Sequence, residues 1–151
     1  MKLFAATAFT TIALMSAPAF ADGHATGDAE AGEKVFNKCK ACHMIQDADG
    51  NDIVKGGRTG PNLYGVYTRV AGSADFKYGK SIVEAGEAGL EWNEEEFVKY
   101  VADPKKYLAE YTDNKRAKSK MAFKLRDEED AANVWAYLVS VGPEVEAKSD
   151  S

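Results

Sequence analysis

Apolar residues recur at helical spacing in three stretches of the chain. Gly32, Val35, Phe36 and Cys39 stand at i, i+3, i+4 and i+7, one stripe of a helix. Asp28 precedes them as an N-cap, which predicts a helix from there to about Lys40. Phe97, Tyr100 and Val101 form the inward face of another helix. Asn93 opens it, Glu96 three residues on completes the pattern of a capping box, and Asp103-Pro104 stops it. Ala131, Val134, Trp135 and Leu138 share one face of a last helix, capped by Asp127 and ended by Gly142-Pro143. A short helix is expected over 80–88. Residues 47–60 are rich in Asp, Gly and Asn and read as turns. A Lys/Tyr-rich stretch runs from Pro104 to Lys124. No alternating strand, internal repeat or second-domain boundary stands out. The result is an all-α single domain of four or five helices joined by long loops. Loops of that length need something else to organise them in a compact domain.

Composition is ordinary for a globular chain, at 45% hydrophobic and 28% charged over 151 residues. The first segment stands apart. Lys2 is followed by an apolar run from Leu3 to Met15 without an acid, and then by Ala19-Phe20-Ala21. This is the layout of a secretory signal peptide, too short for a comfortable membrane span. Residues 1–21 are expected to be cleaved, leaving 22–151 as one domain with short mobile tails, exported to a bacterial periplasm. An uncleaved N-terminal anchor is the alternative.

Export changes the meaning of the two cysteines. Such a compartment favours disulfides, but only two residues separate Cys39 from Cys42, so a bridge would constrain little chain. A thioredoxin-like pair needs a βαβ setting that is not evident. A zinc site needs about four ligands, and the chain has two cysteines and two histidines. The next residue points elsewhere: Cys39-Lys40-Ala41-Cys42-His43 is a C-x-x-C-H haem attachment pattern. Each thiol adds to one haem vinyl group, and His43 falls beneath the iron. A buried haem would also supply the organising core that the long loops call for.

The sixth iron ligand is narrowed by elimination among His24, a methionine, a lysine or an open position. Met1 and Met15 leave with the signal peptide, and Met44 adjoins His43. Met121, 78 residues beyond His43, is the methionine able to reach the other haem face. His24 lies in the expected mobile tail. A methionine is more often core filling, but a haem lacking a ligand favours ligation. Histidine with methionine raises the potential and suits electron transfer. An open position would instead suit a haem enzyme or gas sensor.

From about Ala29 to Leu138 the chain resembles class I cytochromes c, close to the bacterial cytochrome c2 and cytochrome c-550 types. Gly32, Phe36, the Cys39–His43 motif, Thr59-Gly-Pro61-Asn-Leu63, Phe76-Lys-Tyr78, Trp92, Tyr100, Pro104-Lys-Lys-Tyr107, Lys120-Met121-Ala-Phe123 and Trp135-Ala-Tyr137-Leu138 carry the likeness. The resemblance implies one covalent haem c, with His43 and Met121 as axial ligands. It implies that the Pro61 carbonyl orients His43. Arg69, Tyr78 and Trp92 contact the haem propionates, and Ser119 reaches the inner one. Tyr100 lies near the Met121 sulfur and Phe123 flanks the exposed haem edge. Gly32 lets the first helix cross the last, with Phe36, Trp135 and Leu138 at the contact. Two departures stand out. Residues 109–116 form an insertion like that of the longer bacterial members, and Ser119 stands where threonine is common.

Charge then suggests a docking face. The chain carries −5, and −6 once residues 1–21 are removed, because only Lys2 leaves with them. Residues 99–124 nevertheless hold eight basic and three acidic side chains around Met121. Lys99, Lys105, Lys106, Lys118, Lys120 and Lys124 are the expected basic face. Residues 84–96 hold six acids and no base. The acidic whole speaks against nucleic acid. The resemblance implies a monomeric, non-enzymatic shuttle of single electrons. Its partners would be a membrane cytochrome bc1 complex and a photosynthetic reaction centre, terminal oxidase or other acceptor.

Overall fold

The computed structural model describes residues 25–144. The expectations for residues 1–21, for Met1 and Met15, for His24 and for the far C-terminal tail fall outside them. Five helices occur within this span: α1 (Ala29–Phe36), α2 (Lys80–Glu87), α3 (Glu94–Ala102), α4 (Pro104–Tyr111) and α5 (Glu128–Val141). One small antiparallel hairpin joins β1 (Ile45–Gln46) to β2 (Asp52–Val54).

The caps sit where short polar side chains meet free helix N–H groups. Asp28 accepts from the Ala31 amide at 2.8 Å and Asp127 from the Asp130 amide at 2.9 Å. Asn93 accepts from the Glu96 amide at 2.9 Å. The return half of that capping box is not made. The Glu96 carboxylate instead takes a hydrogen bond from the Tyr107 hydroxyl and ties α3 to α4.

Three elements differ from the sequence expectation. Helix α1 ends at Phe36, and the chain runs on through hydrogen-bonded turns to Cys42. The turn-rich segment contains the hairpin, whose tip is closed by Asp47 accepting from the Asp49 and Asn51 amides. The stretch after Pro104 begins as a helix. Asp103 ends α3 and then caps α4, with Pro104 in the first turn, where its missing N–H costs nothing.

Helices α1 and α5 form the main contact of the fold. Gly32 decides how closely they approach. A Cβ on Gly32 would lie 1.9 Å from the Asn133 carbonyl oxygen and 2.9 Å from the Tyr137 Cβ, so a side chain there would hold the helices apart. Phe36 meets the Tyr137 ring at 5.6 Å, and Trp135 meets Phe97 at 5.3 Å. Trp135, Phe36 and Leu138 are almost wholly buried, as are Leu90, Leu108 and Ile45. The buried Asn133 earns its place by accepting the Asp28 amide at 2.7 Å, because a buried polar atom left unpaired is costly. Helices α3, α4 and α2 close round the other side and leave the long loops to carry the chemistry.

Candidate haem site

The turn that ends α1 presents both thiols. The Cys42 and His43 amides each bond to the Cys39 carbonyl at 3.0 Å. The thiols are not joined to one another; Cys39 is half-buried and Cys42 exposed. Burial pushes the Cys39 thiol up to about 11, so at neutral pH it stays protonated.

Residues 56–63 wrap this turn. The Gly57 amide bonds to the Lys40 carbonyl at 2.9 Å, Gly60 to Cys42 at 2.8 Å, and Leu63 to Met44 at 3.1 Å. The loop lies flat against His43 because Gly60 has no side chain: a Cβ there would sit 2.4 Å from the imidazole Cε1. His43 Nδ1 donates to the Pro61 carbonyl at 2.8 Å. That bond sets the tautomer and leaves the Nε2 lone pair available for a metal. Burial holds the imidazole below its usual value, the Pro61 bond opposes this, and the Arg69 charge adds to it. The ring is therefore neutral, as a ligand must be. Asn62 fastens the same loop to β1: its Oδ1 accepts from the Gln46 amide at 3.0 Å, and its Nδ2 donates to the Gln46 carbonyl at 2.7 Å.

Arg69, Tyr78 and Trp92 form the next layer. Arg69 donates to the Tyr64 and Asn62 carbonyls at 3.2 and 3.1 Å. Its backbone pairs with Trp92. Burial lowers the Arg69 pKa, and Tyr78 is close enough to oppose that shift. Among the described residues Arg69 makes no ion pair, and the buried Trp92 indole N–H meets no acceptor. A half-buried cation and a buried donor without an anion between them call for one. Haem propionates would supply it, so the residues fit the group.

Met121 lies half-buried against the core on the loop between α4 and α5. The Ser119 hydroxyl accepts the Met121 amide at 3.1 Å and donates to the Met121 carbonyl at 3.0 Å. Both bonds lie within its own turn, so Ser119 braces the Met121 turn. Burial pushes the Tyr100 hydroxyl up and Ser119 beside it opposes that shift, which places Tyr100 near that turn. Trp92 and Tyr100 rings meet at 5.0 Å. Phe123 is exposed, two residues beyond Met121. An open pocket of about 440 Å³ is lined by Pro104, Ala109, Met121 and Ala122, with Lys105, Lys106 and Lys124 at its walls. It contains none of the Cys39–His43 residues, so it lies outside the space between the two candidate ligands.

The cytochrome c family model matches residues 29–142. The chain belongs to the cytochrome c family. It is 60% identical over 126 residues to cytochrome c-551 of Roseobacter denitrificans, covering 83% of this chain and 86% of that one. It is 49% identical to cytochrome c-550 of Paracoccus denitrificans, covering 95% and 90%. The fold matches the crystal structure of cytochrome c2 from Rhodobacter sphaeroides with a TM-score of 0.77 at 54% identity, over 80% of this chain and all of that one. The protein is thus a class I, cytochrome c2-type member with one covalently attached haem c, and its general role is electron carriage.

The basic face is less uniform than the chain order suggests. Lys105 and Lys118 are exposed and make no ion pair among the described residues. Lys106 pairs with Glu110 at 3.7 Å and Lys124 with Asp103 at 2.5 Å. Lys120 donates to the Lys77 carbonyl at 2.6 Å, which brings Lys77 into the neighbourhood. Lys99 is set apart. It pairs with Glu95 on α3 and lines a separate groove with Glu94 and Glu128. Gly60, Asn62 and Ser81 are site-building residues that pattern reading passed over. The first two lie inside the Thr59–Leu63 motif, whereas Ser81 carried no signal.

Proposed function

We propose that this protein is a soluble periplasmic monohaem carrier. It takes single electrons from a membrane cytochrome bc1 complex and delivers them to a reaction centre, terminal oxidase or other acceptor. Cys39 and Cys42 hold the haem through thioether bonds, and His43 Nε2 and the Met121 sulfur bind its iron. The bound haem supplies one-electron chemistry at that iron. The chain's own residues keep the site unchanged between the two charge states. Pro61 and Gly60 fix the His43 ring. Arg69, Tyr78 and Trp92 offer donors to the propionates, and Tyr100 and Ser119 hold the Met121 turn. Phe123 stands at the exposed edge, and Lys105, Lys106, Lys118, Lys120 and Lys124 orient an acidic partner.

The observation that carries this reading is a neutral imidazole fixed by Nδ1 on Pro61, next to two unpaired thiols. No helix of the described residues is long and apolar enough to cross a membrane, and a free carrier is consistent with that. The test is spectroscopic. The ferric holoprotein is expected to be low-spin with a weak near-infrared iron–thioether band. Met121→Ala is expected to abolish that band and to let the ferrous form bind carbon monoxide. A wild-type spectrum that is already high-spin, and shifts with carbon monoxide, would sink the shuttle reading. N-terminal sequencing of the exported protein checks cleavage after Ala21; an intact Met1 contradicts it.

A further inference from the structure

The turn that carries Met121 is held from one side by Ser81 in the first turn of α2 and by the residues just before that helix. Three contacts join the two segments. The buried Ser81 hydroxyl accepts the Lys118 amide at 3.0 Å. Lys120 Nζ donates to the Lys77 carbonyl at 2.6 Å. Between them the Lys120 stem lies over Gly79, where a Cβ would come within 3.5 Å of its Cγ. They bracket Ser119, whose hydroxyl in turn bonds both the amide and the carbonyl of Met121. Beyond the turn, the Leu125 amide is anchored to the Val101 carbonyl at 2.8 Å. Met121 thus sits in a short span pinned at both ends.

We infer that Ser81 is a positioning residue for Met121: by holding the Lys118 amide it keeps the ligand turn closed and so sets how readily the methionine leaves the iron. The inference rests on the proposal that Met121 is an axial ligand. Ser81 has no reason of its own to be buried. It is neither the N-cap of α2, which is Gly79, nor an apolar residue. The chain bond it makes is to a backbone N–H 37 positions away, and without it that part-buried donor would be unpaired. Removing the hydroxyl raises the population of the open turn. A ligand that competes with Met121 then binds with a better apparent affinity, by the same factor.

The probe is imidazole, titrated against the ferric holoprotein and followed by loss of the thioether band. Ser81→Ala should bind imidazole roughly five- to tenfold more tightly than wild type. Ser81→Thr keeps the hydroxyl and should restore the wild-type value. Lys120→Met keeps the stem over Gly79 but loses the bond to Lys77, and a gain of about twofold is expected of it. Amide exchange gives an independent readout, because the Lys118 N–H should lose protection in Ser81→Ala. An imidazole affinity within about twofold of wild type, even with a lowered unfolding midpoint, would show that Ser81 only stabilises α2 and overturn the inference. Should Ser81→Ala fail to accumulate as holoprotein, wild type decides: saturating imidazole must speed Lys118 amide exchange, and an unchanged rate counts against the clamp. A wild type with no thioether band overturns the Met121 assignment itself, a result distinct from a band that Ser81→Ala leaves equally resistant to imidazole.

Discussion

Trp92 shows how one residue reports on the bound group. Its indole is buried, packs on Tyr100, and offers an N–H that no described protein atom accepts. A hydrogen bond to a charged acceptor contributes more than one between neutral groups. Trp92→Phe keeps an aromatic ring in the core but removes the donor. The holoprotein is expected to lose about 2 kcal/mol in denaturant unfolding. Haem-free protein should lose less, since no propionate is present to lose its partner. Equal losses in the two forms would reduce Trp92 to packing.

At the scale of elements, the crossing of α1 on α5 depends on Gly32. Gly32→Ala places a methyl group against the Asn133 backbone, which cannot swing aside as a flexible side chain would. Overpacking of this kind costs about 1–3 kcal/mol, and a value near the upper end is expected from urea titration. The join between α3 and α4 behaves differently, through pH. Burial, then the hydrogen bond from Tyr107 to Glu96 and the Glu96 charge, push the Tyr107 hydroxyl up. In the unfolded chain a tyrosine ionises near pH ~10. The folded form binds the proton more tightly, so this contribution is whole below about pH 10 and is lost as pH rises beyond it. Urea midpoints between about pH 9 and 11 should fall less steeply for Tyr107→Phe than for wild type. A parallel decline would show that Tyr107 takes no part.

Across the whole molecule, charge is distributed by the fold and not by chain order alone. Lys105 and Lys106 wall the pocket that contains Met121, whereas Lys99 faces Glu94, Glu95 and Glu128. With membranes carrying the redox partners, Lys105→Glu with Lys106→Glu should lower the second-order rate roughly tenfold at low salt. The gap should close as ionic strength screens the surface. Lys99→Glu should stay within about twofold, because its charge is already balanced locally. Rates that ignore ionic strength, or a Lys99 variant as slow as the double variant, would contradict this placement.

Much of the candidate site was legible because its chemistry is local. Cys39, Cys42 and His43 are set by spacing along one turn, and Met121 follows from the scarcity of other ligands. Asp28, Asn93 and Asp127 announce their helices because capping needs neighbours only three residues away. The α1–α5 crossing could be anticipated from the stripe containing Gly32 and the apolar face of α5. Other features depended on residues far apart in the chain. The hairpin was hidden because its two short strands lie in a segment whose composition reads as turns. Helix α4 was hidden because Asp103-Pro104 both stops one helix and starts the next. Ser81 on the Lys118 amide, Lys120 on the Lys77 carbonyl and the separation of Lys99 from the other lysines arise only when loops fold over helices. Which side chains are candidate ligands is a matter of which ones exist and how closely they are spaced, so the sequence by itself determined the candidates. How firmly the Met121 turn is held, and which charges share a face, depend on distances between remote segments, and those only the tertiary structure decided.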